Sequence, residues 1–579
     1  MMKTNIKKIV MAVTVSCGIG AVITACSDKW DDHYEGTASG VNVNEGTLWD
    51  AIKGNPELTN FASVVEATGY DRSLKGSQMF TVFAPTDATF SQSDADAMIK
   101  LYDQQKAAST REEDNTVVKE FVKNHLSLYN YSVAPGRTDT LTTMNGKRHA
   151  LDNEQFSGID LTSRNALYKN GVLFTIDNVV PYYPNVFEYM EKDAELDSVK
   201  AFFYNKLHYR LKFDADRSVP DSIRDGQTVY SDSVMVQENT LFDNEALNAE
   251  LNAEDSTYWM VVPTNDVWDK LVTDYAPYFN YHKNIEKDLT EGTADSLAYT
   301  NTRLAIMRGT VFSRTLNTDK MLADSAISTN AYEYELRQFA WGADSLDYYQ
   351  FKKPLEGIMA NTTNVQCSNG QVMKTSDWKF EAKQTFMHDI IVEAENQRAI
   401  KELVKAKVEK DSIETVTATT VYVSSENPYY NEVSGHSYIE FTQQSQGTNH
   451  KVIFSIPEVL SNLPYDIYVR TVPALAGDTL AAEVDRAPIK MRFTIGYLGT
   501  DGKSKPEVIY TTFETHKDQV DTLLVKEGFK FPVCSYGVTE SDPQVTLQIE
   551  TAVSETEVTA QTYQRTMRID CIILKPREE

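Results

Sequence analysis

Cysteine is scarce in this chain: Cys17, Cys26, Cys367, Cys534 and Cys571 are the five in 579 residues. The three beyond residue 26 are an odd number spread over roughly 550 positions, which excludes a disulfide-stabilised scaffold. Cys534 and Cys571 both lie in apolar, strand-like stretches. Two alternatives stay open for this pair: a disulfide bridge, or two buried free thiols that pack as small apolar groups.

Positive charge is the second deficit. Lys and Arg number 56 against 83 Asp and Glu, which gives a formal net charge of -27 and an isoelectric point near 4.8. Nucleic acid and anionic lipid would be repelled by such a chain, so we expect no nucleic-acid partner. With 41% hydrophobic and 24% charged residues the composition is that of a folded soluble protein. Its length predicts three or four domains.

Familiar catalytic motifs are also missing. The sequence contains no HExxH zinc helix, Walker loop, GxGxxG or EF-hand loop. Residues 435–439 (GHSYI) resemble a hydrolase elbow only in part, since Ile439 replaces the final glycine and the region has an all-β pattern. We therefore predict no catalytic residues and no enzyme activity. An unrecognised carboxylate pair is the alternative, because only geometry selects a pair among so many acids.

The first 25 residues have the pattern of an export signal. Three lysines precede an apolar run from Ile9 to Val22, which is too short for a good membrane span and indicates a signal peptide over residues 1–25. The run ends in ITAC at residues 23–26, which resembles a bacterial lipobox. That resemblance implies cleavage before Cys26 and acylation of its thiol, with an ordinary secretory signal as the alternative.

The segment after Cys26 suggests where in the cell the protein is located. Residues 27–32 read SDKWDD, an acidic cluster that resembles the export signal of Bacteroidota surface lipoproteins. The resemblance implies a lipid anchor on the outer face of the outer membrane, with the periplasm as runner-up. Residues 26–43 are polar and contain several small residues, so we predict a flexible tether there.

A strand that stops at a proline occurs twice. Residues 80–90 read FTVFAPTDATF and residues 258–268 read YWMVVPTNDVW. Proline cannot donate to a strand ladder, so it ends the strand, and Thr86 or Asp87 is predicted to cap the helix that follows. Two copies of this corner suggest a repeated module. The corner resembles the first signature box of the fasciclin (FAS1) domain.

Further segments support that resemblance. Residues 121–127 (FVKNHLS) match the Asn-His element of the family, and residues 170–181 (NGVLFTIDNVVP) match its second box. The resemblance implies that His125 is structural and ties a helix end to a neighbouring strand. It predicts a first FAS1 domain at 44–184 and a FAS1-like second domain at 185–387. The second copy lacks the histidine and carries an acidic insertion near 205–250, predicted to form surface loops or a hairpin.

From residue 388 onwards short alternating runs follow each other closely, which predicts a β-sandwich. Residues 392–395 (VEAE), 465–469 (YDIYV) and 569–574 (IDCIIL) resemble jelly-roll carbohydrate-binding modules in order and spacing. The predicted fold class is therefore α+β multidomain: two fasciclin-like modules followed by a C-terminal jelly roll at 388–579. We expect no cofactor apart from a structural calcium ion, for which the resemblance makes Glu393 and Glu395 candidate ligands.

Tyrosine is abundant, with 31 residues, and an aromatic ring with a polar rim suits both sugars and protein interfaces. Tyr429, Tyr430 and Asn431 lie in a predicted loop, where they either contact a ligand or pack on their own domain. The resemblances together imply a non-enzymatic surface lipoprotein that binds a glycan, a glycoconjugate or a protein partner. They imply an accessory role beside a SusC/SusD-type importer, with a structural or adhesive spacer as the alternative.

Overall fold

The structure is a computed structural model. It describes residues 43–577 except 225–226, 284–292, 332, 339–343, 397, 405, 408–412, 415, 444–448 and 539–544. The chain divides into two compact units, Met1–Tyr182 and Tyr183–Glu579, so the boundary predicted at residue 387 falls inside the second unit. The predicted signal peptide, Cys26 and nearly all of the tether lie outside the described residues. Within the described ranges, no helix combines the length and apolarity that a membrane crossing requires.

Unit 1 is a sheet with helices packed on one face. Its helical segments are α1 (Leu48–Gly54), α2 (Thr59–Thr68), α3 (Asp71–Lys75), α4 (Gln92–Ala107), a 3-10 turn (Glu112–Asp114), a π-helical turn (Val117–Val122) and a 3-10 turn (Lys123–His125). Its strands are β1 (Phe80–Pro85), β2 (Leu126–Ser127), β3 (Asp139–Thr142), β4 (Arg148–Leu151), β5 (Gln155–Phe156), β6 (Ile159–Tyr168) and β7 (Gly171–Ile176). The strand order is β2-β1-β7-β6-β5-β4-β3, and β1 runs parallel to β7.

Strand β1 lies between β2 and β7 in this sheet and is buried along its whole length. Side chains on one face pack with α1 and α2 in a first hydrophobic cluster. On the other face Phe83 stacks on Phe156 and Phe174, with ring centroids 3.6 and 5.1 Å apart. Burial on both faces explains why residues 80–84 read as an almost continuous apolar run.

The proline corner forms as predicted, but the residue predicted to cap the following helix caps a different helix. Strand β1 ends at Pro85, and α4 begins only at Gln92, where Ser91 caps it. Asp87 instead accepts hydrogen bonds from the backbone N–H groups of Thr59 (3.1 Å) and Asn60 (3.0 Å). The prediction that Thr86 or Asp87 caps the following helix is therefore wrong. A turn at residues 86–90 separates Asp87 from α4 and brings its carboxylate to the start of α2.

Removing this remote cap should be measurable. We expect Asp87→Ala to lower the free energy of unfolding by about 1–2 kcal/mol, because two helix N–H groups lose their acceptor and the helix dipole loses a nearby anion. Asp103→Ala, an exposed site on α4, is the matched control and should change stability by less than about 0.5 kcal/mol. Urea titration followed by circular dichroism measures both. Equal losses in the two variants would contradict the assignment.

The first part of unit 2 again combines helices and a small sheet. Its helices are α5 (Val186–Lys192), α6 (Asp197–Phe203), α7 (Asn265–Tyr275), α8 (Ala294–Met307) and α9 (Asp319–Asp324). Its strands are β8 (Tyr209–Arg224), β9 (Gln227–Asn239), β10 (Tyr258–Pro263), β11 (Val311–Ser313), β12 (Ser325–Ala326), β13 (Glu333–Gln338), β14 (Asp344–Tyr348), β15 (Phe351–Lys352), β16 (Thr363–Cys367) and β17 (Gly370–Thr375). The main sheet has the order β11-β10-β17-β16.

The insertion expected near 205–250 is mostly a long hairpin. Strands β8 and β9 pair with each other in a separate two-stranded sheet, and bulges interrupt their register. Leu211 (68% exposed), Phe213 (39%) and Met235 (50%) present apolar side chains on it. The hairpin alternative of the prediction is thus what forms.

Residues beyond 388 form two main antiparallel sheets with a shared core, and two further short strands pair in a separate two-stranded sheet. The strands are β18 (Ile390–Glu393), β19 (Ile400–Val404), β20 (Ala406–Lys407), β21 (Ile413–Glu414), β22 (Val416–Tyr422), β23 (Ser437–Gln443), β24 (Lys451–Ser455), β25 (Pro464–Thr471), β26 (Lys490–Leu498), β27 (Ser504–Glu514), β28 (Asp521–Lys530), β29 (Val545–Thr551) and β30 (Met567–Pro576), with a short helix α10 (Glu555–Thr559). Sheet I has the order β22-β23-β30-β25-β28 with β18 beside β30, and sheet II has the order β19-β24-β29-β26-β27. Alternating burial along β25 and β29 places one side of each strand in a common hydrophobic core. This is a β-sandwich.

The sandwich core continues into the rest of unit 2. Phe279, Tyr281 and Phe386 belong to the same buried cluster as the sandwich strands. The segment 276–281, called here the junction segment, is also fixed by backbone bonds: the N–H of Cys534 donates to Asn280 O (2.8 Å), and the N–H of Ser461 donates to Tyr278 O (2.9 Å). In the part of unit 2 that the structure describes, the helical part and the sandwich are therefore joined by a shared core.

Candidate functional site

Three carboxylates converge at one end of sheet I. Strand β18 ends at Glu393, with Glu395 two residues further on, and Glu393 is paired with Cys571 of β30. The register of β30 against β25 shifts at this point, between Arg470 and Thr471. A β-bulge of this kind changes the direction in which the neighbouring side chains point. Single donor atoms of Glu393, Asp570 and Cys571 all lie within 4.8 Å of one another, so the cluster is compact.

Burial raises the free-energy cost of ionising the carboxyl groups of this cluster. Asp570 is fully buried, and desolvation raises its pKa to about 8 and that of Glu393 to about 7; it also raises the pKa of Glu395. The guanidinium of Arg470 lies 3.8 Å from Asp570 and offsets only part of the negative charge. The outer oxygens Oε2 of Glu393 and Glu395 are buried without a hydrogen-bond partner. Buried carboxylate oxygens in this state lack a cation or a donor.

A loop closes over the cluster. The backbone N–H of Ser434 donates to Asp570, at 3.1 and 3.2 Å from its two oxygens, and its hydroxyl donates to Glu393 (2.5 Å). The hydroxyl of Ser437 donates to Glu395 (2.6 Å). Ser437 is therefore occupied in supporting a carboxylate and is not the nucleophile of a hydrolase elbow. The loop turns sharply at Gly435 and His436, which both have positive φ.

The donor set fits a hard divalent cation. Three carboxylates supply only oxygen ligands, which calcium prefers, and two of their oxygens have no other partner. Cys571 offers a thiol whose pKa burial raises far above its usual value, so its sulfur is not a calcium ligand. The residues present therefore fit the calcium ion expected at Glu393 and Glu395. Sequence reasoning missed Asp570, although an acidic residue inside an apolar strand was the available signal.

The tyrosine loop packs on its own domain. Tyr429 and Tyr430 are half-buried against a small cluster that contains Val433 and Tyr438. The Tyr430 ring stacks on His436 (3.7 Å), and the hydroxyl of Tyr429 donates to the carbonyl of Asp518 (2.6 Å). Both contacts favour the packing alternative. Asn431 is exposed next to them, and a ligand role for these three residues stays a prediction.

The outer face of sheet I carries an apolar row. Ile391, Ile573, Tyr468 and Leu524 are direct cross-strand neighbours on β18, β30, β25 and β28. Ile391 and Leu524 are 46% and 41% exposed. On β18 this row lies two residues from Glu393, and its two ends are exposed to solvent, whereas Ile573 is buried within it.

His125 has the structural role that the family resemblance implies. It is fully buried, its Nδ1 donates to Phe121 O (2.7 Å) and its Nε2 accepts from the N–H of Val180 (3.0 Å). Burial lowers its pKa to about 4, so the ring stays neutral. It links the end of the Val117–Val122 turn to the segment after β7 and leaves no nitrogen for catalysis.

The structure distinguishes between the two alternatives for Cys534 and Cys571, a disulfide bridge or two buried thiols. Cys367, Cys534 and Cys571 are all buried and none is part of a disulfide, so the Cys534–Cys571 bridge does not form. Cys534 belongs to the sandwich core near Tyr281, whereas Cys571 lies in the carboxylate cluster. Burial raises the pKa of the Cys534 thiol to about 12, which makes it inert.

Comparisons with known proteins identify one domain of the chain. No curated protein matches it. A FAS1 domain pair of the insect cell adhesion molecule Fasciclin I is 14% identical, with a TM-score of 0.19, and covers 57% of this chain and 99% of its own. The CBM22-1 xylan-binding domain of Paenibacillus barcinonensis Xyn10C is 11% identical, with a TM-score of 0.18, and covers 31% of this chain and 96% of its own.

A family 11 carbohydrate-binding module of Clostridium thermocellum, solved with a beta-1,3-1,4-mixed-linked tetrasaccharide, is likewise 11% identical. Its TM-score is 0.19, and it covers 33% of this chain and 97% of its own. The profile of the Fasciclin domain family matches residues 56–181. This part of the chain, which holds the proline corner, His125 and the Asn170–Gly171 pair, is a fasciclin domain.

Proposed function

We propose that this protein is a non-enzymatic cell-surface lipoprotein that binds a glycan, a glycoconjugate or a protein partner. It acts as an accessory component of a SusC/SusD-type outer-membrane importer. Its anchor is an acylated Cys26 in the outer membrane, with the bulk of the chain facing the cell exterior and the periplasm as the runner-up location. The observation that carries the proposal is the fasciclin domain at residues 56–181, because fasciclin domains are adhesion-type modules.

Residues 185–387 are proposed to be a second, diverged fasciclin-like module. Two buried asparagines that make equivalent sets of hydrogen bonds support this proposal. Asn170 accepts from the N–H of Leu48 (2.8 Å) and its amide donates to Leu74 O and Gly76 O. In unit 2, Asn369 accepts from the N–H of Val186 (2.8 Å) and its amide donates to Leu251 O and Ala253 O.

The glycines that follow these asparagines also correspond. Gly171 lies opposite Phe80 in the parallel pair β1–β7, and Gly370 lies opposite Tyr258 in the parallel pair β10–β17. Both have φ near +145°, at +149° and +142°. A shared backbone geometry at matched positions is what a duplicated module predicts.

Residues 388–579 are proposed to be a carbohydrate-binding-module-like jelly roll that holds a structural calcium ion. Glu393, Glu395 and Asp570 would supply carboxylate oxygens to the ion. The ion would fix the loop at Ser434–Ser437 to strands β18 and β30, since that loop already bonds to all three carboxylates. Its contribution is structural and involves no reaction step.

Native purification tests the proposed address and partner. A tagged chain is expected to leave the outer membrane only with mild detergent and to copurify with an importer in fixed ratio. Cys26→Ser should release it into the soluble fraction, because acyl chains provide the anchor. Cys367→Ser, which changes a buried thiol of unit 2, is the matched control and should stay membrane-bound.

Each outcome of this purification decides a separate part of the proposal. A chain that elutes alone supports a structural or adhesive spacer and contradicts the importer role. A Cys26→Ser protein that remains in the membrane fraction contradicts the lipid anchor. Binding of the intact protein to a glycan array is the parallel test of the ligand class.

A further inference from the structure

A cleft opens where the helical part of unit 2 meets its sandwich. It has a volume of about 780 Å³ and is lined by residues of α7, the junction segment, the 382–389 segment and the edges of β25 and β30. Ligand-binding cavities commonly measure ~300–1,000 Å³ and form where two structural parts meet. The continuous core beneath it holds the two walls in fixed positions, so the cleft is preformed.

Aromatic and apolar side chains line the floor of the cleft. Tyr275 and Tyr278 are half-buried, and each packs against Phe386, with ring centroids 4.8 and 6.3 Å apart. Met387 and Leu463 complete the apolar lining. Tyrosine rings supported from behind lose little conformational freedom when a ligand packs against them.

Charged groups of both signs form the rim of the cleft. Asp274 and Asp389 offer acceptors, and Lys383 and Arg577 offer donors. Each cation also has an acidic neighbour outside the cleft, Glu381 for Lys383 (3.0 Å) and Glu527 for Arg577 (2.9 Å). The rim therefore has no excess charge that would select an ionic ligand.

Asp389 is an acidic rim group that a ligand can reach, because its side chain is 45% exposed. Nζ of Lys575 forms a long ion pair with it, at 3.8 Å from its Oδ2. Burial raises the pKa of Asp389 above its usual value despite that lysine. A ligand hydroxyl would donate to this carboxylate in place of water.

We propose that this cleft binds a segment of a neutral oligosaccharide. Sugar hydroxyls both donate and accept, which matches carboxylates and cations set around one cavity, and the apolar face of a sugar ring packs on tyrosine. The cleft continues onto the outer face of sheet I, because Asp389 and Ile391 follow each other on the same side of the strand that leads into β18. A chain longer than the cleft would therefore extend along the apolar row. This assignment rests on the proposed glycan-binding function and gives it a location.

The test uses the full chain in mild detergent and immobilised neutral oligosaccharides of the glucose, xylose, mannose and galactose series. Asp389→Asn and Tyr278→Ala should each weaken binding at least about tenfold, because each removes a rim or floor contact. Tyr510→Ala is the matched control: this residue is 88% exposed on sheet II, away from the cleft, and its loss should leave binding within about twofold. Thermal melting confirms that each variant is folded, and Asp389→Asn, which preserves shape, decides the result if Tyr278→Ala unfolds.

The outcomes separate the cleft from the wider function. If the wild type binds a sugar and neither cleft variant weakens that binding, the cleft assignment is overturned. The glycan-binding function would remain intact. If the wild type binds none of the neutral sugars, the cleft assignment and the glycan part of the function both fail. Copurification with an importer would then still stand on its own. Tenfold losses in both cleft variants with an unchanged control establish the site.

Discussion

Calcium is expected to raise the stability of unit 2 by about 2.7 kcal/mol when its free concentration is a hundred times the dissociation constant. The reason is the carboxylate cluster, where Oε2 of Glu393 and Oε2 of Glu395 are buried without partners beside the fully buried Asp570. A cation that binds only the folded cluster stabilises it by mass action. Differential scanning calorimetry with calcium and with chelator measures the effect.

The pH dependence of the calcium-free protein follows from the same carboxyls. Folding raises the pKa of Glu393 to about 7 and that of Asp570 to about 8, so the folded state holds protons that the unfolded state has already released. The stability that these two carboxyls contribute is therefore fully present below their unfolded pKa values near 4 and should be lost as pH rises through about 8. Calcium should remove most of this fall, because the ion replaces the protons as the compensating charge.

A single substitution separates this explanation from a general acid effect. Asp570→Asn keeps the size and the acceptor for Ser434 but removes one buried charge, so it should flatten the pH dependence and abolish most of the calcium response. Asp466→Asn, on β25 of the same sheet, is the control and should respond to calcium like the wild type. A melting temperature that chelator leaves unchanged would rule out the cation site.

Gly171→Ala is expected to destabilise the fasciclin domain by at least about 3 kcal/mol, a large part of a typical domain's total stability. A methyl group built on Gly171 would stand 1.9 Å from the carbonyl oxygen of Phe80, and the φ of +149° is one that favours glycine. Strands β1 and β7 would have to separate at the point where Asn170 clamps the domain. Urea denaturation and limited proteolysis report the loss.

Gly158→Ala is the matched control for this clash. Gly158 also has a positive φ (+79°), but an added methyl group there meets nothing within 4 Å. We expect a cost of about 1 kcal/mol, which is backbone strain alone. If Gly171→Ala and Gly158→Ala lose equal stability, close strand approach is not what requires glycine at position 171.

Local patterns in the sequence predicted much of the fold. The apolar run of β1, its end at Pro85 and the Asn-Gly turn before β7 depend on neighbouring residues, and all three form. The cap at Asp87 was wrong because a side chain can satisfy a helix end that is distant in sequence, and only the folded chain shows which end lies near. The hairpin alternative for the insertion was accessible because that stretch is polar and acidic, which is typical of surface elements.

The candidate sites were less accessible to sequence reasoning. Glu393 and Glu395 came from family resemblance, whereas Asp570 reaches them from a strand at the far end of the chain. The cleft was missed altogether, since Tyr278 and Asp389 come together only through packing of the two parts of unit 2. Paired tyrosines in the 429–430 loop were the more conspicuous signal, yet they pack on their own domain.

The junction segment has a consequence for how this protein can be divided. Phe279, Tyr281 and Phe386 lie outside the sandwich strands but belong to the sandwich core. Unfolding of either part of unit 2 would therefore expose core side chains of the other part to water. Folding of this unit is then one cooperative event, and its stability is a joint property. A recombination event or a protease that separates the chain at residue 388 would leave two pieces with exposed apolar faces, prone to aggregate.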